Sequence, residues 1–77
     1  MRQRTQAQTI KRLRLAAGLT QAQVAAAAGV ERGAVARWEA SITTPRPAHY
    51  EAALAFIRAH ASRRAGELAR LANGTSP

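Results

Sequence analysis

Thr20-Gln21-Ala22-Gln23-Val24-Ala25-Ala26-Ala27-Ala28-Gly29-Val30-Glu31-Arg32-Gly33-Ala34-Val35-Ala36-Arg37-Trp38 is the stretch whose reading decides the fold. It opens with a capping box, in which the Thr20 hydroxyl accepts from the Gln23 amide while the Gln23 side chain reaches back to the amide of Thr20. Leu19, just before the cap, is placed to staple against Val24. The spacing predicts a helix over Gln21–Ala28 with Val24, Ala25 and Ala28 facing inward, ended by Gly29 in the left-handed conformation. Val30 and Glu31 separate it from a second periodic stretch, Arg32 to Ala40. At 100° per residue, Val35 and Trp38 fall on one side of that stretch, and Arg32, Gly33, Ala36 and Arg37 on the other. The inner face is apolar and the outer face small and basic.

Two short helices joined by a glycine-containing turn of about three residues have the geometry of a helix-turn-helix. Upstream, Ile10, Leu13 and Ala17 recur at helical spacing before Gly18, which predicts a helix from about Thr5 to Ala17. Downstream, Pro45 and Pro47 bias Ile42–Pro47 toward a loop, and Pro47 suits the first turn of a further helix. Tyr50, Ala53, Leu54, Ile57 and Ala61 form its apolar stripe, which can continue through Ala65, Leu68 and Ala72. Periodicity leaves open whether this is one helix or two broken near His60 to Ser62. Asn73-Gly74-Thr75-Ser76-Pro77 reads as a stop signal and disordered tail.

The 77 residues allow one small core. Of the 47% hydrophobic residues, 20 are Ala and 16 are larger, a thin core that favours close-packed helices over sheets. There is no Cys, hence no disulfide and no thiolate metal site. No apolar run reaches the roughly 18 residues that span a bilayer, and no signal segment follows Met1, so the chain reads as cytoplasmic. The net charge is +8, and the first acid is Glu31, so residues 1–30 hold Arg2, Arg4, Lys11, Arg12 and Arg14 without a counter-charge. Such a balance suits a polyanion partner or simple solubility. His49 and His60 lack a third ligand or a nucleophile nearby, so the reading assigns no catalytic residue, metal or cofactor.

From Ile10 to Ile57 the chain resembles the lambda-repressor-like (Cro/C1-type, XRE) helix-turn-helix family. The family's two-helix motif asks for Gln at its first position, a small residue at the fifth and Gly at the ninth, met by Gln21, Ala25 and Gly29. Its apolar positions are met by Val24, Ala28, Val30, Val35 and Trp38. The resemblance implies an all-α, compact fold of four to five helices. Residues 1–6 would be a basic arm, 7–61 the DNA-binding domain, 62–72 a C-terminal helical segment and 73–77 a tail. It also implies a structural salt bridge between Arg14 and Glu39. The chain departs from the family at Ser41, where Gly is usual, so the exit of helix 3 is open to a different ending.

The function implied is sequence-specific DNA binding by a small dimeric repressor of bacterial or phage type, on a palindromic or inverted-repeat operator. Helix 3 would enter the major groove, with Arg32, Gly33, Ala36 and Arg37 at base edges, the arginines suited to guanine. Gly33 stands where relatives often present a base-reading side chain, which means either close backbone approach or a surrendered contact. Thr20 and Gln21 would hold a phosphate at the start of helix 2, and Thr43, Thr44 and Arg46 would clamp the backbone beyond helix 3. Arg2 and Arg4 either reach a minor groove or form an arm without specific contacts. Phe56, Leu68 and Leu71 are the dimer candidates, the alternative being a fifth helix folded over its own core. A second functional class is an antitoxin-like module whose C-terminal segment binds a protein partner. A membrane binder is disfavoured because the positive charges lie off the apolar stripe.

Overall fold

The computed structural model describes residues 5–74, in four helices: α1 (Gln6–Ala17), α2 (Gln21–Ala28), α3 (Arg32–Glu39) and α4 (Pro47–Gly74). No strand occurs among the described residues. Local chemistry sets the ends of the first three. Thr5 caps α1 in a full capping box, its hydroxyl accepting from the Gln8 amide at 3.1 Å while its own amide donates to Gln8 Oε1 at 3.4 Å. Thr20 and Gln23 repeat this at α2, at 3.1 and 2.8 Å. At the other ends, Gly18 (φ 74°) and Gly29 (φ 78°) turn left-handed. That turn lets the Leu19 amide reach the Arg14 carbonyl and the Val30 amide the Ala25 carbonyl, each at 3.0 Å.

α3 ends in the same way although it lacks the glycine. Ser41 takes φ 62°, and the Ile42 amide donates to the Arg37 carbonyl at 2.9 Å. The chain's departure from the family at Ser41 therefore leaves the turn intact and places the strain of a left-handed backbone on a residue with a Cβ.

The helices close around Ile10, Val24, Val35 and Ile57, all but fully buried, with Trp38 at 4% exposure. Full burial of each large aliphatic side chain contributes about 1.5–3 kcal/mol. Ala17, Ala25, Ala28 and Ala53 fill the seams, α2 packing on α3 and α4, and α1 on the same two helices. A larger residue at Ala25, which is 2% exposed, would meet this packing directly.

α4 settles what periodicity left open. It is one unbroken helix of 28 residues, about 42 Å at 1.5 Å per residue, and it crosses the expected boundary between Ala61 and Ser62. Its last buried residue is Ile57, and residues 61–72 are all exposed. The alternative of a fifth helix folded back over the core is thus corrected: nothing in the chain breaks the helix, and its distal half runs past the globule. Asn73 and Gly74, expected in the tail, belong to the helix, while 75–77 lie outside the described residues. Arg64 braces the overhang, its Nη1 donating to the Ala17 carbonyl at 3.1 Å. That contact puts a cation at the negative end of α1. Among the described residues, no helix is long and apolar enough to cross a membrane.

Replacing Ser41 by Gly relieves the left-handed strain and is expected to raise stability by up to about 1 kcal/mol. Urea denaturation of the two proteins measures it, and an unchanged or lowered midpoint would contradict the strain at Ser41.

Candidate nucleic-acid interface

α3 is oriented by the burial of Val35 and Trp38, which leaves its opposite side outward. Arg32 and Arg37 are exposed there, and Gly33 and Ala36 are half-buried between them. The C-terminal end of α3 is held by Glu39. Arg14 donates from Nε to Glu39 Oε2 at 2.7 Å and from Nη2 to Oε1 at 2.9 Å, a two-pronged pair whose side chains are 10% and 4% exposed. The third guanidinium nitrogen, Nη1, donates to the Leu19 carbonyl at 2.9 Å in the turn before α2. Glu39 Oε1 also accepts from Gln21 Nε2 at 3.0 Å. One carboxylate therefore ties the end of α3 to α1 and to the start of α2.

Burial pushes the Glu39 carboxyl up, but the hydrogen bonds from Arg14 and Gln21, together with the charges of Arg14 and Lys11, outweigh it. The carboxyl is held below its ordinary range.

The start of α2 lies beside the start of α3. Arg14, Leu19, Thr20, Gln21, Ala22 and Arg32 line one shallow surface recess. Within it the Gln21 side chain, read from sequence as a phosphate ligand, is occupied by Glu39, which leaves its backbone amide and that of Ala22 without an intrahelical acceptor. Thr20 is engaged in its capping box. Thr43 and Thr44 are exposed and line a second recess with Thr5, Gln6 and Trp38, so the α3–α4 loop sits beside the entry to α1. Arg46 is exposed at the end of that loop. Arg2 and Arg4 lie outside the described residues.

Of the dimer candidates, Phe56 is half-buried against the core with its ring 6.3 Å from that of His60. Leu68 and Leu71 are 58% and 63% exposed, on the distal half that no other helix covers.

A family model described as a helix-turn-helix domain matches residues 7–66, most of the chain. The chain belongs to the helix-turn-helix domain family. The match agrees with the lambda-repressor-like resemblance carried by Gln21 to Trp38, and a helix-turn-helix domain of this kind implies DNA binding and is typically non-enzymatic. Searches of curated proteins and of solved structures return no significant match.

Three contacts of this helix-turn-helix domain lie beyond sequence reasoning. Gln21 reaches Glu39 across 18 residues, Arg64 reaches Ala17 across 47, and Arg37 pairs with Glu31 at 3.2 Å across six, a spacing outside the i, i+4 rule. The first two have no local signal at all. The third joins the N-cap acid of α3 to a base within the helix, so their opposite charges were its only hint.

Truncating Arg14 or Glu39 singly strands a buried charge and is expected to cost about 3–5 kcal/mol, with the double variant far less than additive. Chemical denaturation of Arg14→Ala, Glu39→Ala and the pair checks this. Because the folded-state pKa of Glu39 is lowered, its contribution is complete above the unfolded value of about 4.3 and is lost as pH falls through the folded value. Glu39→Gln should accordingly flatten the acid limb of the stability curve.

Proposed function

We propose that this chain is a small cytoplasmic transcriptional repressor that binds, as a homodimer, an inverted-repeat operator in double-stranded DNA. α3 lies in the major groove, Arg32 and Arg37 meet guanine edges, and Ala36 passes close to the bases. The α2 amides of Gln21 and Ala22, with Thr20, take one phosphate, and Thr43, Thr44 and Arg46 take another across the groove. Arg2 and Arg4 add arm contacts. The observation that carries this reading is the outer face of α3. It is exposed and basic opposite buried Val35 and Trp38, on a helix whose far end is locked by Arg14 and Glu39.

Dimerisation is supported by the overhang of α4. Leu68 and Leu71 are large, apolar and exposed on a helical segment that, among the described residues, no other helix covers. A second copy on this face would supply the second recognition helix that two half-sites about 34 Å apart require. The same overhang favours a second reading, in which α4 binds a protein partner in the manner of an antitoxin while the domain represses its own operon.

Footprinting on the DNA upstream of its own coding sequence tests the main reading. Protection of two symmetric half-sites is expected, with a binding constant that falls on a log–log plot by about 0.9 per phosphate contact as salt rises. Arg32→Ala and Arg37→Ala should each lose about 1–3 kcal/mol of discrimination at one base pair per half-site. Binding that ignores sequence, or shows no salt dependence, would exclude it. Light scattering on full-length Leu68→Glu/Leu71→Glu separates the two uses of α4: loss of the dimer assigns the face to a second copy, and an intact dimer assigns it elsewhere.

A further inference from the structure

Arg37 folds back along α3. Long side chains on a helix lean toward its N-terminus, so Arg37 lies over the residue one turn earlier, which is Gly33. Its Nη2 continues past that point and donates to Glu31 Oε2 at 3.2 Å. A Cβ on Gly33 would stand 3.2 Å from Arg37 Nη1 and 4.0 Å from Glu31 Cδ, so a side chain at position 33 would press on the guanidinium and displace it by a few tenths of an ångström. Glu31 is the N-cap residue of α3, yet its side chain makes no capping bond and is left to accept from Arg37.

Stability does not account for this arrangement. The two side chains are 45% and 75% exposed, and an ion pair in water at that exposure contributes little to folding. Glycine in the first turn lowers helix propensity, and a carboxylate at the start of a helix facing DNA opposes every phosphate that approaches. The glycine weakens the helix and the carboxylate opposes phosphate, and both lie against the guanidinium of Arg37.

We propose that Glu31, Gly33 and Arg37 form one base-reading unit in which Glu31 is a specificity-determining residue that acts through Arg37. The unit rests on the reading of α3 as the recognition helix. The carboxylate engages one hydrogen of Nη2 and so narrows the orientations open to the guanidinium. The hydrogens still available on Nη1 and Nη2 then form the parallel fork that matches O6 and N7 of guanine. Holding a rotamer-rich arginine in its bound orientation removes part of the ordering cost of binding. Gly33 supplies the clearance, which answers why helix-weakening glycine stands on this face: the contact at position 33 is neither surrendered nor made by backbone, but lent to Arg37.

The test is selection of duplexes from a randomised pool by the full-length chain, followed by affinity measurements on the selected duplex and on a scrambled one. Arg37→Ala is expected to remove a guanine preference at one position. Glu31→Gln should weaken the same preference about tenfold while tightening binding to the scrambled duplex, and should add nothing in an Arg37→Ala background. Gly33→Ala should raise the melting temperature yet weaken the same preference, a combination that a merely structural role for Gly33 would not produce. The unit is overturned if Arg37→Ala removes the preference and Glu31→Gln or Gly33→Ala leaves it whole. A profile that neither Arg37→Ala nor Arg32→Ala alters overturns the unit together with the assignment of α3 as the reading helix.

Discussion

The carboxylate of Glu39 is the constraint on which the arrangement of the motif depends. A core of small residues supplies attraction without direction, since apolar burial is indifferent to the angle at which two helices meet. The two-pronged bond from Arg14, the further bond from Gln21 and the reach of Arg14 to the Leu19 carbonyl supply that direction. Burying such a pair is costly unless each lone pair and proton is used, and here donors from α1 and α2 converge on one carboxylate while the remaining guanidinium nitrogen of Arg14 is taken by the Leu19 carbonyl. Among the described residues, no buried side-chain polar atom lacks a partner. The outward pose of α3 follows from this lock as much as from Val35 and Trp38.

The excess of positive charge is divided by the fold into unlike parts. Arg14 is spent inside, against Glu39; Arg37 is paired with Glu31; and Arg64 sits at the C-terminal end of α1. The cations left to act on a polyanion at long range are those on the exposed surface, among them Lys11, Arg12 and Arg46. The net charge of +8 already counts the Arg14–Glu39 and Arg37–Glu31 pairs as neutral, so the cations outside these pairs carry the long-range attraction.

Most of the helix boundaries were legible because their causes are local. A Thr followed three residues later by Gln, and a Gly after the last apolar position, act within one turn of the chain, and the ends of α2 fall where these signals place them. Ser41 shows the limit of such reasoning: the turn demands a left-handed residue, and the bonds of the Ser41 and Ile42 amides to the Trp38 and Arg37 carbonyls place a serine there. The length of α4 was not legible, because neither Gly66 nor the stretch from His60 to Ser62 is a strong enough break for pattern alone to decide. Gln21 was read by its motif position as a phosphate ligand, whereas its partner Glu39 becomes visible only when α2 and α3 are folded together.

By itself the sequence determined the helical class, the spacing of the two motif helices and the division of α3 into an apolar and a basic side, because each depends on neighbours within about one turn. Tertiary structure decided which charges are neutralised, that Phe56 supports the core while Leu68 and Leu71 do not, and that Arg37 rests on Glu31 across the bare backbone of Gly33. Those outcomes depend on distances between side chains that periodicity does not encode, so they emerge only when the helices are packed.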